Sequence, residues 1–446
     1  MYLPGSSKIN SKNHLEIGGV DTIDLVTQYG TPLYVMDEWD VRNRMREYVN
    51  TFEKQQVAFQ VAYASKALCT MTMCHIAKEE GLSLDVVSGG ELYTALKAGF
   101  PVDRIHFHGN NKSDEEIKMA IRADIGAFVI DNHYEISLIE QIAGNENKKV
   151  KALIRVTPGI EAHTHEYIQT GQEDSKFGFN IGEMALEAAK RVNQSNQIEL
   201  LGFHFHIGSQ IFDMTGFEKA IERMAAFYQM VQKELKINLP ILNTGGGFGI
   251  RYVDEDQPLS IRHYVTALVE SVKRYFYHLG LEIPQIWIEP GRSIVGEAGT
   301  TLYTIGSNKE VPNVRKYVAV DGGMMDNPRP ALYQAKYNAV IANRMESQAS
   351  ELVSVAGKAC ESGDMLIWDI LLNEPQSGDV LAVFSTGAYN YSMASNYNRI
   401  TRPAMVLVSN GKTDLIVKRE TYDDLIQHDL VPERFIQSSY NKITNV

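Results

Sequence analysis

The sequence predicts an α/β protein, an eight-stranded (β/α) barrel joined to a second, antiparallel β-domain. Three observations carry this. Short apolar runs rich in Val, Ile and Phe recur eight times, and segments with apolar residues at helical spacing lie between them. Beyond Gly299 the texture changes to alternating strand-like stretches parted by turn residues.

The apolar runs read as strands at Phe59–Tyr63, Leu84–Val87, Ile105–Phe107, Phe128–Ile130, Ala152–Val156, Gly202–Phe205, Ile241–Asn243 and Ile286–Ile288. Eight parallel strands are the number that closes a barrel. ALEAAKRV after Met184 and FEKAIERMAAFYQMV after Gly216 are amphipathic helices suited to its outer ring. The rival, an open doubly wound sheet, usually carries an early Gly-rich dinucleotide loop, whereas the first run here leads into Lys66. TTLYTIG, KYVAVDGG, ELVSVAG, DVLAVFSTGAY and AMVLVSNG supply the β-domain, and Thr31 to Met36 is assigned to it as well. Residues 37–298 are thus read as the barrel, and 1–36 with 299–446 as the β-domain.

The composition is globular, with 44% hydrophobic and 22% charged residues. A formal net charge of -12 without a dense basic run argues against nucleic acid as a partner. No stretch reaches the roughly 18 apolar residues of a membrane span. The opening segment also lacks a basic stretch followed by an apolar one. Three scattered cysteines, Cys69, Cys74 and Cys360, are too few for a disulfide framework. A cytoplasmic location is expected.

Barrel enzymes place their chemistry where strands end. The runs here end in Lys66, Asp85 with Ser88, Asn110, Asp131, Arg155, His206 with Ser209, Gly245 to Gly247, and Glu289 with Arg292. Turn chemistry accounts for Gly, Asn and Asp, but not readily for Lys, Arg, His and Glu. Lys66 alone is compatible with a solvated side chain or with a Schiff-base amine. Gly245, Gly246 and Gly247 follow a strand and suit either an ordinary turn or a phosphate cradle, with the Ser209 hydroxyl one or two strands away. His106/His108, His163/His165 and His204/His206 form three His-x-His pairs. No carboxylate or cysteine spacing completes a catalytic metal site around them, so no metal is expected. Glu289 and Arg292 read as an ion pair, or as a carboxylate for a pyridine nitrogen beside an anion-binding guanidinium. Gly171 to Phe179 has the polar, Gly-containing character of a rim segment or lid.

Seven segments stand in order along the chain: YASKAL, HFHIGSQI, NTGGGFGIRY, IEPGRSIV, VDGGMMDNPRPALY, GKACESGDML and GAYNYSMASNYN. Together they resemble the fold type III pyridoxal 5'-phosphate (PLP) enzymes and, over nearly the whole chain, the diaminopimelate decarboxylase family. The resemblance implies that Lys66 holds PLP as a Schiff base, His206 stacks on its ring and Glu289 pairs with the pyridine nitrogen. Ser209, Gly245, Gly246, Gly247, Gly291, Arg292 and Tyr389 fall to the cofactor, mainly to its phosphate. Arg292, Arg329, Tyr333, Glu361 and Tyr389 fall to the substrate, meso-diaminopimelate, which would yield L-lysine and carbon dioxide. It further implies a homodimer with shared active sites, in which Cys360, the proton donor, and Glu361 reach into the partner's site. Lys358 departs from the family at a position that is often proline, which flanks the motif and puts little in doubt. An ornithine, lysine or arginine decarboxylase on the same scaffold, or a non-catalytic PLP-binding homologue, remains the alternative.

Overall fold

The computed structural model describes residues 2–160 and 174–435. Eight parallel strands close into a barrel. In order they are Phe59–Ala64, Ser83–Val86, Ile105–Phe107, Ala127–Ile130, Val150–Thr157, Ile198–His204, Ile241–Asn243 and Gln285–Ile288. Each pairs with the next, and the eighth returns to the first with Ile286 opposite Phe59. A two-residue strand, Phe179–Asn180, adds a further parallel pairing to the fifth.

Alternation along each strand sorts the side chains. Leu84, Phe107, Phe128, Ile154, Phe203, Leu242 and Ile286 join the main apolar cluster beneath the helices. Ala127, Leu153, Ile241 and Trp287 form a separate small cluster. Trp287 carries the His106 ring stacked on it at 4.4 Å, so this plug lies beneath polar side chains. The barrel is therefore apolar below and polar towards the strands' carboxyl ends.

The strand-to-helix turns explain part of the polar sequence there. Ser88, Ser113 and Asn132 are N-caps, each accepting a backbone N–H with its side chain, and Ser113 with Glu116 forms a capping box. Ser88 is thus a cap at a strand end and does not line the site. Asn110 offers its carbonyl to Asn132. These residues hold the loops on which the chemistry is mounted.

The second domain is a larger sheet of mostly antiparallel pairings. Its order is Met365–Leu372, Glu351–Ala356, Arg315–Val320, Gly299–Val311, Leu33–Asp37, Ala404–Ser409 and Lys412–Val417. Two pairings are parallel, Arg315–Val320 with Glu351–Ala356 and Leu33–Asp37 with Ala404–Ser409. The antiparallel β-domain expected from the sequence is thus present, and the second parallel exception arises where a strand from before the barrel is inserted between strands made after it. A small sheet of Lys8–Ile9, Leu15–Ile17 and Val20–Asp21, absent from the sequence reading, covers this end. Among the described residues no helix is long and apolar enough to cross a membrane.

Candidate active site

A cavity of about 500 Å³ opens at the carboxyl ends of the barrel strands. Lys66 lines it from a short turn, Ser65–Ala67, immediately after the first strand. The contrast with Lys112 is informative. Lys112 is buried and spends its ammonium on Glu135 at 2.6 Å and on two carbonyls. Lys66 has no such carboxylate within ion-pair distance among the described residues, so its amine is kept for something in the cavity.

Glu289 follows the eighth strand and is ringed by Asn243, His204 and His108. Asn243 Nδ2 donates to it at 2.6 Å, His204 Nε2 lies at 3.2 Å and His108 Nε2 at 3.3 Å. Burial raises the Glu289 carboxyl, while His108 and Asn243 oppose that. His108 also lies 3.5 Å from Asp85, which contacts His106 at 3.1 Å, and His106 reaches Gln60 at 3.1 Å. A continuous polar ladder thus runs from the plug up to Glu289. Ligand atoms of His108, His204 and Glu289 lie within 4.8 Å of one another. The Asn243 amide hydrogen on Glu289, with two imidazoles packed against it, suits a carboxylate that serves a ring nitrogen better than one that shares a cation.

His206 is held as a neutral imidazole. Burial first, then the charges of Lys66 and Arg155, push it well below its ordinary range. Its Nδ1 accepts the Gly246 N–H at 3.3 Å, an interaction that a protonated ring would lose. The glycine run packs tightly against this histidine. A Cβ on Gly246 would lie 2.1 Å from the Glu289 carbonyl oxygen, and one on Gly247, whose φ is +103°, 2.2 Å from that of Gly208. Gly245 donates its N–H to Asn243 Oδ1 at 3.0 Å. Of the three glycines only Gly247 lines the cavity. Gly245 and Gly246 bring the sixth, seventh and eighth strand ends together.

Arg292 donates to Ser209 Oγ at 3.0 Å and to the Tyr252 hydroxyl at 2.5 Å, and its guanidinium lies 4.7 Å from the Tyr389 ring centre. Arg329 lies 4.6 Å from the Tyr252 ring and donates to the Tyr337 hydroxyl at 2.6 Å. Both arginines are only 7% exposed, and among the described residues neither has a carboxylate partner. Tyr333, Gly291 and Arg155 also line the cavity. Asn243 and Tyr252, which sequence reasoning did not single out, flank the glycine run in LNTGGGFGIRY; Asn243 was accessible as the last inward position of its strand.

Cys360 and Glu361 do not line this cavity. They sit exposed on the turn between Glu351–Ala356 and Met365–Leu372, where the Cys360 N–H donates to Asn398 Oδ1 at 2.7 Å. His163, His165 and the first three residues of the Gly171–Phe179 segment lie outside the described residues; Phe177 lines the cavity.

The donor set fits pyridoxal phosphate. It offers an amine for an aldehyde, a carboxylate for a ring nitrogen, a flat imidazole, and a hydroxyl across from a glycine run for a phosphate. Residues 39–296 match the family model described as the pyridoxal binding domain of pyridoxal-dependent decarboxylases. The chain is 57% identical over 431 residues to the diaminopimelate decarboxylase of Bacillus subtilis, covering 96% of this chain and 98% of that one. It is 58% identical over 421 residues to the enzyme of that name from Bacillus methanolicus, covering 94% and 98%. The crystal structure of diaminopimelate decarboxylase from M. jannaschii in complex with L-lysine superposes with a TM-score of 0.91. That match has 37% identity and covers 97% of this chain and 100% of the other. The chain belongs to the diaminopimelate decarboxylase family of pyridoxal-dependent decarboxylases.

Proposed function

We propose that this chain decarboxylates meso-2,6-diaminopimelate to L-lysine and carbon dioxide, the last step of lysine biosynthesis. The observation that carries the choice of substrate is the pair Arg292 and Arg329, two buried guanidinium groups without protein carboxylates on one wall of the Lys66 cavity. A substrate with two carboxylates satisfies both. One with a single carboxylate leaves a buried cation unpaired, at a cost of roughly 1–3 kcal/mol or more.

When bound, PLP supplies an electron sink for the pair released as the carbon–carboxylate bond breaks. Lys66 supplies the amine that tethers it, and Glu289 holds a proton at its ring nitrogen. His206 covers one face as a neutral ring, while Ser209, Gly247, Gly291 and Tyr389 take the phosphate end. Arg292 and Arg329, with Tyr333, hold the two substrate carboxylates and so orient the reacting carbon.

The proton returned to the α-carbon comes from Cys360, with Glu361 facing the distal ammonium, both supplied by the second subunit of a homodimer. Their exposure and their distance from their own cavity support this reading. The three free thiols suit a reducing, cytoplasmic compartment.

Steady-state assays with meso-diaminopimelate, ornithine and lysine test the proposal. Discrimination of at least about 100-fold in kcat/KM for meso-diaminopimelate is expected, and faster release of carbon dioxide from ornithine refutes the two-arginine argument. Borohydride reduction followed by peptide mapping should place the phosphopyridoxyl group on Lys66; its absence there removes the cofactor assignment.

A further inference from the structure

The turn that carries Cys360 and Glu361 is closed by Asp364. The Gly357 N–H donates to the Asp364 carbonyl at 2.9 Å, the Asp364 N–H to the Glu361 carbonyl at 3.1 Å, and the Ala359 N–H to the Asp364 carboxylate at 2.8 Å. The other oxygen of that carboxylate leaves the turn altogether. It accepts the Met324 N–H at 2.6 Å, and the Lys358 N–H donates beside it to the Gly322 carbonyl at 2.9 Å.

Met324 belongs to the tight turn that delivers Arg329. The Asp326 and Asn327 N–H groups both donate to the Gly323 carbonyl, and Pro328 then caps the short helix Arg329–Tyr333. One carboxylate, 3% exposed, therefore joins the turn holding a substrate-binding arginine to the turn holding the cysteine. Room is made for it on both sides. A Cβ on Gly323 would come within 2.5 Å of an Asp364 oxygen, and one on Gly357 within 2.2 Å. Among the described residues no cation pairs with Asp364, so its charge is directed wholly at backbone N–H groups.

We propose that Asp364 is a positioning residue that sets two active sites at once, holding the Arg329 turn in its own cavity and the Cys360–Glu361 turn that the chain lends to its partner. The proposal rests on the shared-site reading given above. Asp364→Asn keeps the shape but leaves a single oxygen for two amides. In the homodimer, cofactor absorbance and dimer size stay unchanged, because Lys66 lies elsewhere, while KM rises and kcat falls, each roughly 10- to 100-fold. Gly357→Ala, which crowds the carboxylate without altering its charge, moves both parameters in the same directions.

Hybrid dimers purified through two affinity tags separate the two arms. In a hybrid of Asp364→Asn with Lys66→Ala, the surviving cavity has the disturbed Arg329 turn and an intact Cys360, so KM rises and kcat stays near that of the control hybrid, Cys360→Ala with Lys66→Ala. In a hybrid of Cys360→Ala with the double variant Lys66→Ala, Asp364→Asn, the surviving site has an intact arginine and a disturbed cysteine, so kcat falls and KM is kept. Parental KM and kcat in the Asp364→Asn homodimer overturn the proposal, as do two hybrids that match the control. An inactive control hybrid overturns the shared-site reading and the arm that reaches the partner, while the KM of the homodimer still decides the arm within the chain.

Discussion

Two buried aspartates near the site ionise in opposite directions, and their partners decide which. Burial works to raise Asp85, but the imidazoles of His108 and His106 outweigh it and bring the group to about 2. Burial also raises Asp326, and there the hydrogen bonds from the Tyr303 hydroxyl and the Gly323 N–H are too weak to offset it, leaving the carboxyl at about 7. The sign of the consequence follows from linkage. Between the unfolded value near ~4 and about 7, the folded chain binds the extra proton, so Asp326 loses stability as pH rises, at about 1.4 kcal/mol per pH unit. Asp326→Asn removes that slope. In urea unfolding, the advantage of the parent over the variant should shrink by roughly 2 kcal/mol between pH 5 and pH 7; a constant difference refutes the assignment. At this scale the sequence exposed those residues whose type is anomalous at a strand end, such as Lys66 and Glu289. It hid the roles of Asn243, Asp326 and Asp364, because Asn and Asp are ordinary in turns and the partners that define them, Glu289, Tyr303 and Met324, lie far away in sequence.

Among the elements, the Gly245–Gly247 loop does most of its work by being thin. Gly246→Ala places a methyl against the Glu289 carbonyl at 2.1 Å, backbone against backbone, so relief requires the seventh and eighth strand ends to separate. The variant should bind PLP about 10- to 100-fold more weakly in fluorescence titrations, with a Tm several degrees lower. Parental affinity would show that the loop yields. The barrel strands were legible because each contains a short, mainly apolar run punctuated by turn residues, and Ile105–Phe107 and Ile241–Asn243 coincide with the structure at both ends. The parallel pairings of the second sheet were not legible. Alternation specifies which face a strand buries but not the direction of its neighbour, and Phe179–Asn180 is too short to show a period.

For the whole molecule, three of the exposed large apolar residues lie together on the hairpin that carries Cys360. Leu352 and Leu371 face each other across it at 57% and 59% exposure, with Trp368 nearby at 56%. A second copy placed on this face would bury them and bring Cys360 to a foreign cavity. If the homodimer proposed above uses this face, Leu371→Glu weakens it by at least about 100-fold, since an unpaired charge would be buried. Light scattering would then find monomers with full cofactor absorbance and little turnover; an intact dimer would exclude this face. A different consequence follows from Leu33–Asp37, which lies between Gly299–Val311 and Ala404–Ser409. On the ribosome this strand emerges early and acquires its last neighbour only when nearly the whole chain has been made, roughly 20–70 s later at ordinary elongation rates. The barrel is complete well before then. The nascent enzyme thus carries an unsatisfied strand edge through most of its synthesis, a period in which a chaperone has something to hold.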